Sequence, residues 1–177
     1  MKIALVGAEA AGKSTLGAGL SGALGLRVLP DPRDVALRGS GYNTFFEWCK
    51  ATRGLSGVLQ EQMEREHAVE HCIIDSGAID LYAFLQRWAW NTMSPEIVER
   101  LWQGIVNISL TYTHVLVMSP QLVATYAPQR FRNALNMEQT NRLIDGILRD
   151  LPLRAPPQPL PSGSAGRVLK AALELLG

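Results

Sequence analysis

Gly7, Gly12, Lys13 and Ser14 fall in the spacing G-x-x-x-x-G-K-[ST], inside the stretch GAEAAGKSTL from Gly7 to Leu16. A loop of this kind lets successive backbone N–H groups converge on phosphate oxygens. The helix that follows adds its positive N-terminal end, and Lys13 supplies a mobile cation for the β/γ oxygens. The Ser14 hydroxyl is an oxygen ligand suited to Mg²⁺. Gly7, Ala8, Glu9, Ala10, Ala11, Gly12, Lys13, Ser14 and Thr15 are therefore read as a cradle for a nucleoside triphosphate, with ATP and Mg²⁺ as the expected pair. The metal needs an acid nearby, and CIIDSG offers Asp75 at the carboxyl end of an apolar run, where open α/β sheets place ligands. The competing structural reading of Asp75 is a cap for the next helix, which Asp80 could start instead.

Positioning these groups requires a strand before the loop and a helix after it. KIALVG precedes it, and LRVLP, CIID and THVLVM are further continuous apolar runs, as in strands buried on both faces; LPLRA is a weaker fifth candidate. Helical patterns lie between them at Lys13–Leu24, roughly Thr44–Glu70, Asp80–Trp90, Pro95–Ile108, Met137–Leu148 and Ala165–Leu176. Ser94 ahead of Pro95, and Asn136, are the expected N-caps of two of these. The alternation predicts an α/β, three-layer fold with a mainly parallel five-stranded sheet and helices on both faces. RAPPQPLPSGSAG reads as a loop ahead of a docking C-terminal helix, so 1–177 is expected to be one domain.

Composition narrows the function classes. A formal net charge of +1 gives no broad basic field, so avid nucleic-acid binding is not expected. No apolar run reaches spanning length, and the first strand starts at Lys2 or Ile3 with no room for a cleavable signal, so a cytoplasmic protein without membrane insertion is expected. Cys49 and Cys72 are spaced neither as a redox CxxC nor as a zinc knuckle and are expected to be reduced. HAVEH (His67–His71) matches an inverted zinc-peptidase pattern, but CIID begins directly after it and ends the helix that zinc binding would need. Phe45, Phe46, Trp48, Leu55, Val58, Leu59 and Met63 read as helix-packing core, whereas Trp88 and Trp90 project to different sides of their helix. GLSGVLQEQ (Gly54–Gln62) is only superficially like a transporter-ATPase signature, since Val58 replaces its second glycine. The guanine-reading and switch motifs of small GTPases are absent.

The chain resembles phosphate-loop NTPases of the nucleoside and nucleotide kinase branch, and within it the group similar to the ribosylnicotinamide kinase domain of bacterial NAD-regulator proteins. IALVGAEAAGKSTL resembles that group's opening, VLPDPRDVA its second strand ending in an acid with a nearby Arg, and IIDSGAIDLYAFL its third strand and helix. The resemblance implies a phosphotransferase with a small nucleoside- or nucleotide-like acceptor. It also implies that Asp31 accepts the acceptor hydroxyl's proton or holds a sugar, with Arg33 or Arg38 orienting it or pairing with substrate phosphate. The alternative for DPRD is a polar turn set by Pro30 and Pro32. Ser76 stands where many relatives carry Arg, a departure at the substrate-phosphate site. The same resemblance places a lid at about 119–135, with Arg130 and Arg132 covering the transferred group; two surface arginines are the alternative. From a different class, an ATP-binding switch or assembly ATPase acting through a protein partner fits the same motif. Oligomeric state is not legible.

Overall fold

The run Lys2–Val6 forms β1, fully buried at the centre of a five-stranded sheet. It pairs in parallel with β3 (Cys72–Asp75) on one side and β4 (His114–Met118) on the other. β2 (Arg27–Leu29) lies outside β3 and β5 (Gln158–Leu160) outside β4, both parallel, giving the order β2-β3-β1-β4-β5. The structure, a computed structural model, describes residues 1–52, 54–89, 91, 93–118 and 134–177, with the side chains of 134–136 also outside that description.

Two apolar layers explain why the strands read as continuous runs. Ile3, Leu5, Ile73 and Leu116 point to one face, where α1 (Lys13–Leu24) and α8 (Ala165–Leu176) cover them through Leu16, Leu20, Val168 and Ala172. Ala4, Val6, Ile74 and Val115 point to the other. That face packs α3 (Phe45–Thr52), α4 (Leu55–His67), α5 (Ala78–Trp88), α6 (Pro95–Ser109) and α7 (Ala134–Asp150) through Phe45, Leu59, Leu81, Leu101, Ile105 and Ile144. Each fully buried Leu or Ile contributes about 2 kcal/mol of transfer free energy, so residues alternating along one strand stabilise both layers. The expected α/β architecture with helices on both faces is the one found.

Four expectations change. LPLRA is not a strand; the fifth strand is Gln158–Leu160, inside the segment read as a loop. Its three residues include Pro159 and carry no β-branched side chain, so neither pattern nor propensity marks them. The long helix over Thr44–Glu70 is two helices, because the Thr52 hydroxyl donates to Trp48 O (2.8 Å) and accepts from Gly54 N–H (3.2 Å), closing α3 before α4 begins. DPRD opens a short helix, α2 (Pro32–Leu37), with Pro32 in the first turn and Asp31 as a true N-cap accepting from Arg33 N–H at 2.8 Å. α7 starts at Ala134, so Asn136 lies within it, whereas Ser94 does occupy the N-cap of α6 ahead of Pro95 as expected, without a side-chain capping bond.

The zinc reading of HAVEH loses its helix, since α4 ends at His67 and His71 Nδ1 instead meets the Met1 amine at 2.5 Å. Cys49 and Cys72 are free thiols. Among the described residues no helix is long and apolar enough to cross a membrane.

Candidate functional site

β1 delivers the chain into the phosphate loop beside β4. Gly7 has φ +155°, and a Cβ there would stand 2.6 Å from Met118 O, so only glycine permits this approach. Ala10 sits in the left-handed region at φ 59°, at a cost of about 1 kcal/mol for a residue with a Cβ. Lys13 opens α1 and turns back into the loop. Its ammonium donates to Gly7 O (2.5 Å) and Ala8 O (2.8 Å), with the side chain 5% exposed.

Two elements remote in sequence grip the same loop. Asp80 Oδ1, from the first turn of α5, accepts from Gly7 N–H at 2.9 Å and lies 3.8 Å from the Lys13 ammonium. Asn141 Oδ1, from α7, accepts from Ala8 N–H at 3.0 Å. Burial pushes the Asp80 pKa up to about 6, against the downward pull of Lys13, the Gly7 N–H and Arg33. Its second oxygen, Oδ2, is buried with no partner among the described residues.

Asp75 ends β3 next to the loop. Burial raises its pKa, and the Ser14 hydroxyl facing it works the other way. Asp75 is not the cap of α5: that position is Gly77, and the Ala78 N–H donates to Glu66 Oε1 at 2.8 Å. A Cβ on Gly77 would meet Glu66 Oε1 at 2.6 Å, so glycine admits that carboxylate to the helix start. Glu66 also accepts from Gln62 Nε2 (2.8 Å) and Tyr112 OH (2.5 Å), while burial pushes its pKa up. This network seats α5, and α5 in turn carries Asp80 to the loop.

Mg²⁺ favours oxygen donors and takes only one or two from the protein. The Ser14 hydroxyl and the Asp75 carboxyl fit that demand, because Asp75 Oδ1 is buried with no partner among the described residues. A cluster of three or more His, Cys, Asp or Glu side chains, as transition metals prefer, is absent among the described residues.

On the other side of the loop, Arg33 is clamped between acids. Its Nε and NH2 donate to Asp31 at 3.0 and 2.7 Å, and NH1 donates to Glu9 Oε1 at 2.6 Å. Burial works to raise the Asp31 pKa, but the charge and hydrogen bonds of Arg33 outweigh it and hold the carboxyl below its ordinary value. Burial likewise opposes the charge on Arg33, yet Asp31 and Glu9 raise its pKa further. A guanidinium therefore faces the site from α2, although Ser76, buried at φ 54°, supplies none from the end of β3. Arg38 is the C-cap of α2.

Beside the loop a pocket opens between α2, α5 and α7. Gly7, Glu9, Arg33 and Asp80 line its polar side, and Phe84, Trp88 and Met137 its apolar side, with Arg87 and Thr140 at the join. Arg87 donates to Thr140 Oγ1 and Gln139 Oε1, both at 2.9 Å, and lies over the Trp88 ring at 4.8 Å. The structure thus brings Lys13, Ser14, Asp31 and Asp75 around one loop. Most of the lid segment, with Arg130 and Arg132, lies outside the described residues, as does Trp90. Sequence reading missed Asp80 as a loop ligand, and Asn141, Arg87 and Glu66 altogether. Only Asp80 carried a signal, as a second acid five residues after Asp75, in the first turn of the helix that follows β3.

The sequence matches the model of an AAA domain family over residues 2–164. The chain belongs to that AAA domain family. No curated protein sequence matches it. In structure this AAA domain is similar to the deoxyadenosine kinase of M. mycoides with bound dATP, at TM-score 0.63 and 15% identity over 99% of each chain. It is also similar to the YorR protein of Bacillus subtilis in complex with phosphorylated GDP, at TM-score 0.62 and 15% identity over 99% of this chain and 95% of that one. A third similarity is to the shikimate kinase of Aquifex aeolicus, at TM-score 0.54 and 16% identity over 99% and 96%. At these identities the likeness is one of fold: the domain has the P-loop kinase fold.

Proposed function

We propose that this AAA domain is an ATP-dependent phosphotransferase for a small nucleoside- or nucleotide-like acceptor. The observation that carries the reading is the juxtaposition of a phosphate loop at the end of β1 with a pocket that is aromatic on one wall and charged on the other. A triphosphate seated on Gly7–Thr15 would direct its terminal phosphoryl group toward that pocket.

Ser14 and Asp75 would hold Mg²⁺, which supplies charge neutralisation on the phosphate oxygens. Lys13 is the mobile cation of the loop, and its reach to a phosphate requires it to leave Gly7 O and Ala8 O. Asp31 is proposed to accept the acceptor hydroxyl. Phosphoryl transfer through a loose transition state asks more for orientation of that hydroxyl than for a strong base, so a carboxylate kept ionised by Arg33 serves. Phe84 and Trp88 line the wall against which a ring of the acceptor would pack. Arg130 and Arg132 stay in the proposal as lid arginines.

The test follows ADP formation with Mg²⁺ and ATP, alone and with a panel of nucleosides, nucleoside monophosphates and ribosylnicotinamide. Acceptor-dependent ADP with a phosphorylated product is expected, and Lys13→Ala should lower turnover by at least about 10³-fold with an unchanged far-UV spectrum. Full turnover in that variant would sink the mechanism. Tight ATP binding with no acceptor stimulation would shift the reading to a nucleotide switch working through a protein partner.

A further inference from the structure

Lys13 and Asp80 are both almost wholly buried, side chains 5% and 4% exposed, with 3.8 Å between the ammonium and Oδ1. The ammonium is also hydrogen-bonded to two carbonyls of its own loop. Neutral carbonyls alone are weak competitors for a lysine that a triphosphate would attract. A carboxylate within 4 Å, screened from water, is a strong one. The same Oδ1 accepts from Gly7 N–H, a donor of the kind that phosphate loops direct at anions. The Asp80 carboxylate therefore stands where it satisfies two groups that a bound phosphate would use.

We propose that Asp80 is a positioning residue of the phosphate loop that competes with nucleotide: it draws the Lys13 ammonium back onto the loop carbonyls, and a phosphate must win Lys13 from it. The proposal rests on the nucleotide-binding part of the reading above and adds an opposing charge to the site.

The unpartnered Oδ2 separates Asp80 from an ordinary structural ion pair. Asp31 has both oxygens met by Arg33, whereas half of the Asp80 carboxylate is unmet, so its charged form is only partly compensated. The charged groups acting on it are Lys13 at the start of α1, Arg33 in α2 and Asp31 at the cap of α2. Tyr112, ahead of β4, senses its charge, and Glu9 and Arg87 share its pocket. From α7 the pocket side chains Met137 and Thr140 are neutral. An arriving phosphate adds negative charge to this set and favours the neutral carboxyl, so nucleotide binding draws in a proton.

The experiment titrates the full chain calorimetrically with MgATP and MgADP from pH 5.5 to 8, comparing the unmodified protein with Asp80→Asn. Asn keeps an oxygen for Gly7 N–H and removes the charge, and the ratio of the two affinities cancels titration of the nucleotide itself. The expected result is about tenfold tighter binding by Asp80→Asn at pH 8, corresponding to a one-unit rise in the Asp80 pKa on binding, shrinking to near parity at pH 5.5. Equal or weaker binding by the variant at pH 8 overturns the proposal. Should Asp80→Asn fail to fold, the unmodified protein decides alone, by titration at pH 6.5 in two buffers of different ionisation enthalpy. Net proton uptake supports the proposal, and no exchange or net release overturns it. Absence of any nucleotide binding by the unmodified protein instead overturns the nucleotide reading, and this proposal with it.

Discussion

Two acid–base pairs flank the phosphate loop, and they are built differently. In the pair on α2, Arg33 spends its donors on Asp31 and Glu9, both oxygens of Asp31 are met, and the acid is pushed down. In the pair that α5 brings across the sheet, Lys13 and Asp80 stand 3.8 Å apart, one oxygen is unmet, and the acid is pushed up to about 6. A fork closed on two carboxylates fixes geometry, whereas a point charge held loosely by one carboxylate can be exchanged for another anion. The difference teaches which side of the loop is frame and which is moving part.

The largest effect that would break this comparison is Arg33→Ala. It strands the Asp31 and Glu9 charges near the loop and frees the start of α2, and should cost about 3 kcal/mol in urea unfolding; a loss under about 1 kcal/mol would mean that the pair is not a frame. Asp31→Ala removes the cap and one arm of the fork and should cost about 2 kcal/mol by the same measurement.

The pH dependence of stability sharpens the contrast, because the two acids carry opposite signs. Asp80 has its folded pKa raised from 3.8 to about 6, so its stabilising contribution is fully present below 3.8 and is lost as pH rises through 6. Asp31 is lowered, so its contribution is present above 3.8 and is lost as pH falls through its folded value. Thermal melts should therefore show Asp80→Asn gaining on the unmodified protein as pH rises from about 4 to about 7, by on the order of 2 kcal/mol. Asp31→Asn should instead fall behind the unmodified protein as pH rises through the acidic range and draw level with it at the lowest pH. Parallel pH curves for both variants would erase the distinction. The smallest expected effect is Ala10→Gly, which removes left-handed strain from the loop and should change stability by less than about 1 kcal/mol, with the entropy of an added glycine opposing the gain.

Much of the frame was legible because it is local. β1, the loop and α1 follow from one motif between an apolar run and a helical pattern, and β3 and β4 follow from continuous burial on two faces. What was not legible depends on placement across the chain. Asp80 meets Gly7 over 73 residues and Asn141 meets Ala8 over 133, and no spacing rule connects them. α2 is too short for periodicity to reveal, and in DPRD the residues that suggest a turn are the same ones that cap a helix. Gln158–Leu160 becomes a strand only because β4 offers it a ladder, and Glu66 is an ordinary surface-type residue until Gly77 lets it reach the start of α5.

The sheet's outer strands have a bearing on how copies of this protein behave when concentrated. β2 and β5 are three residues each, and β5 has Pro159 at its centre, which has no N–H to give. Edges this short, one of them interrupted by proline, offer little template for another chain to add a strand. Self-association by extension of this sheet is thus disfavoured at both margins.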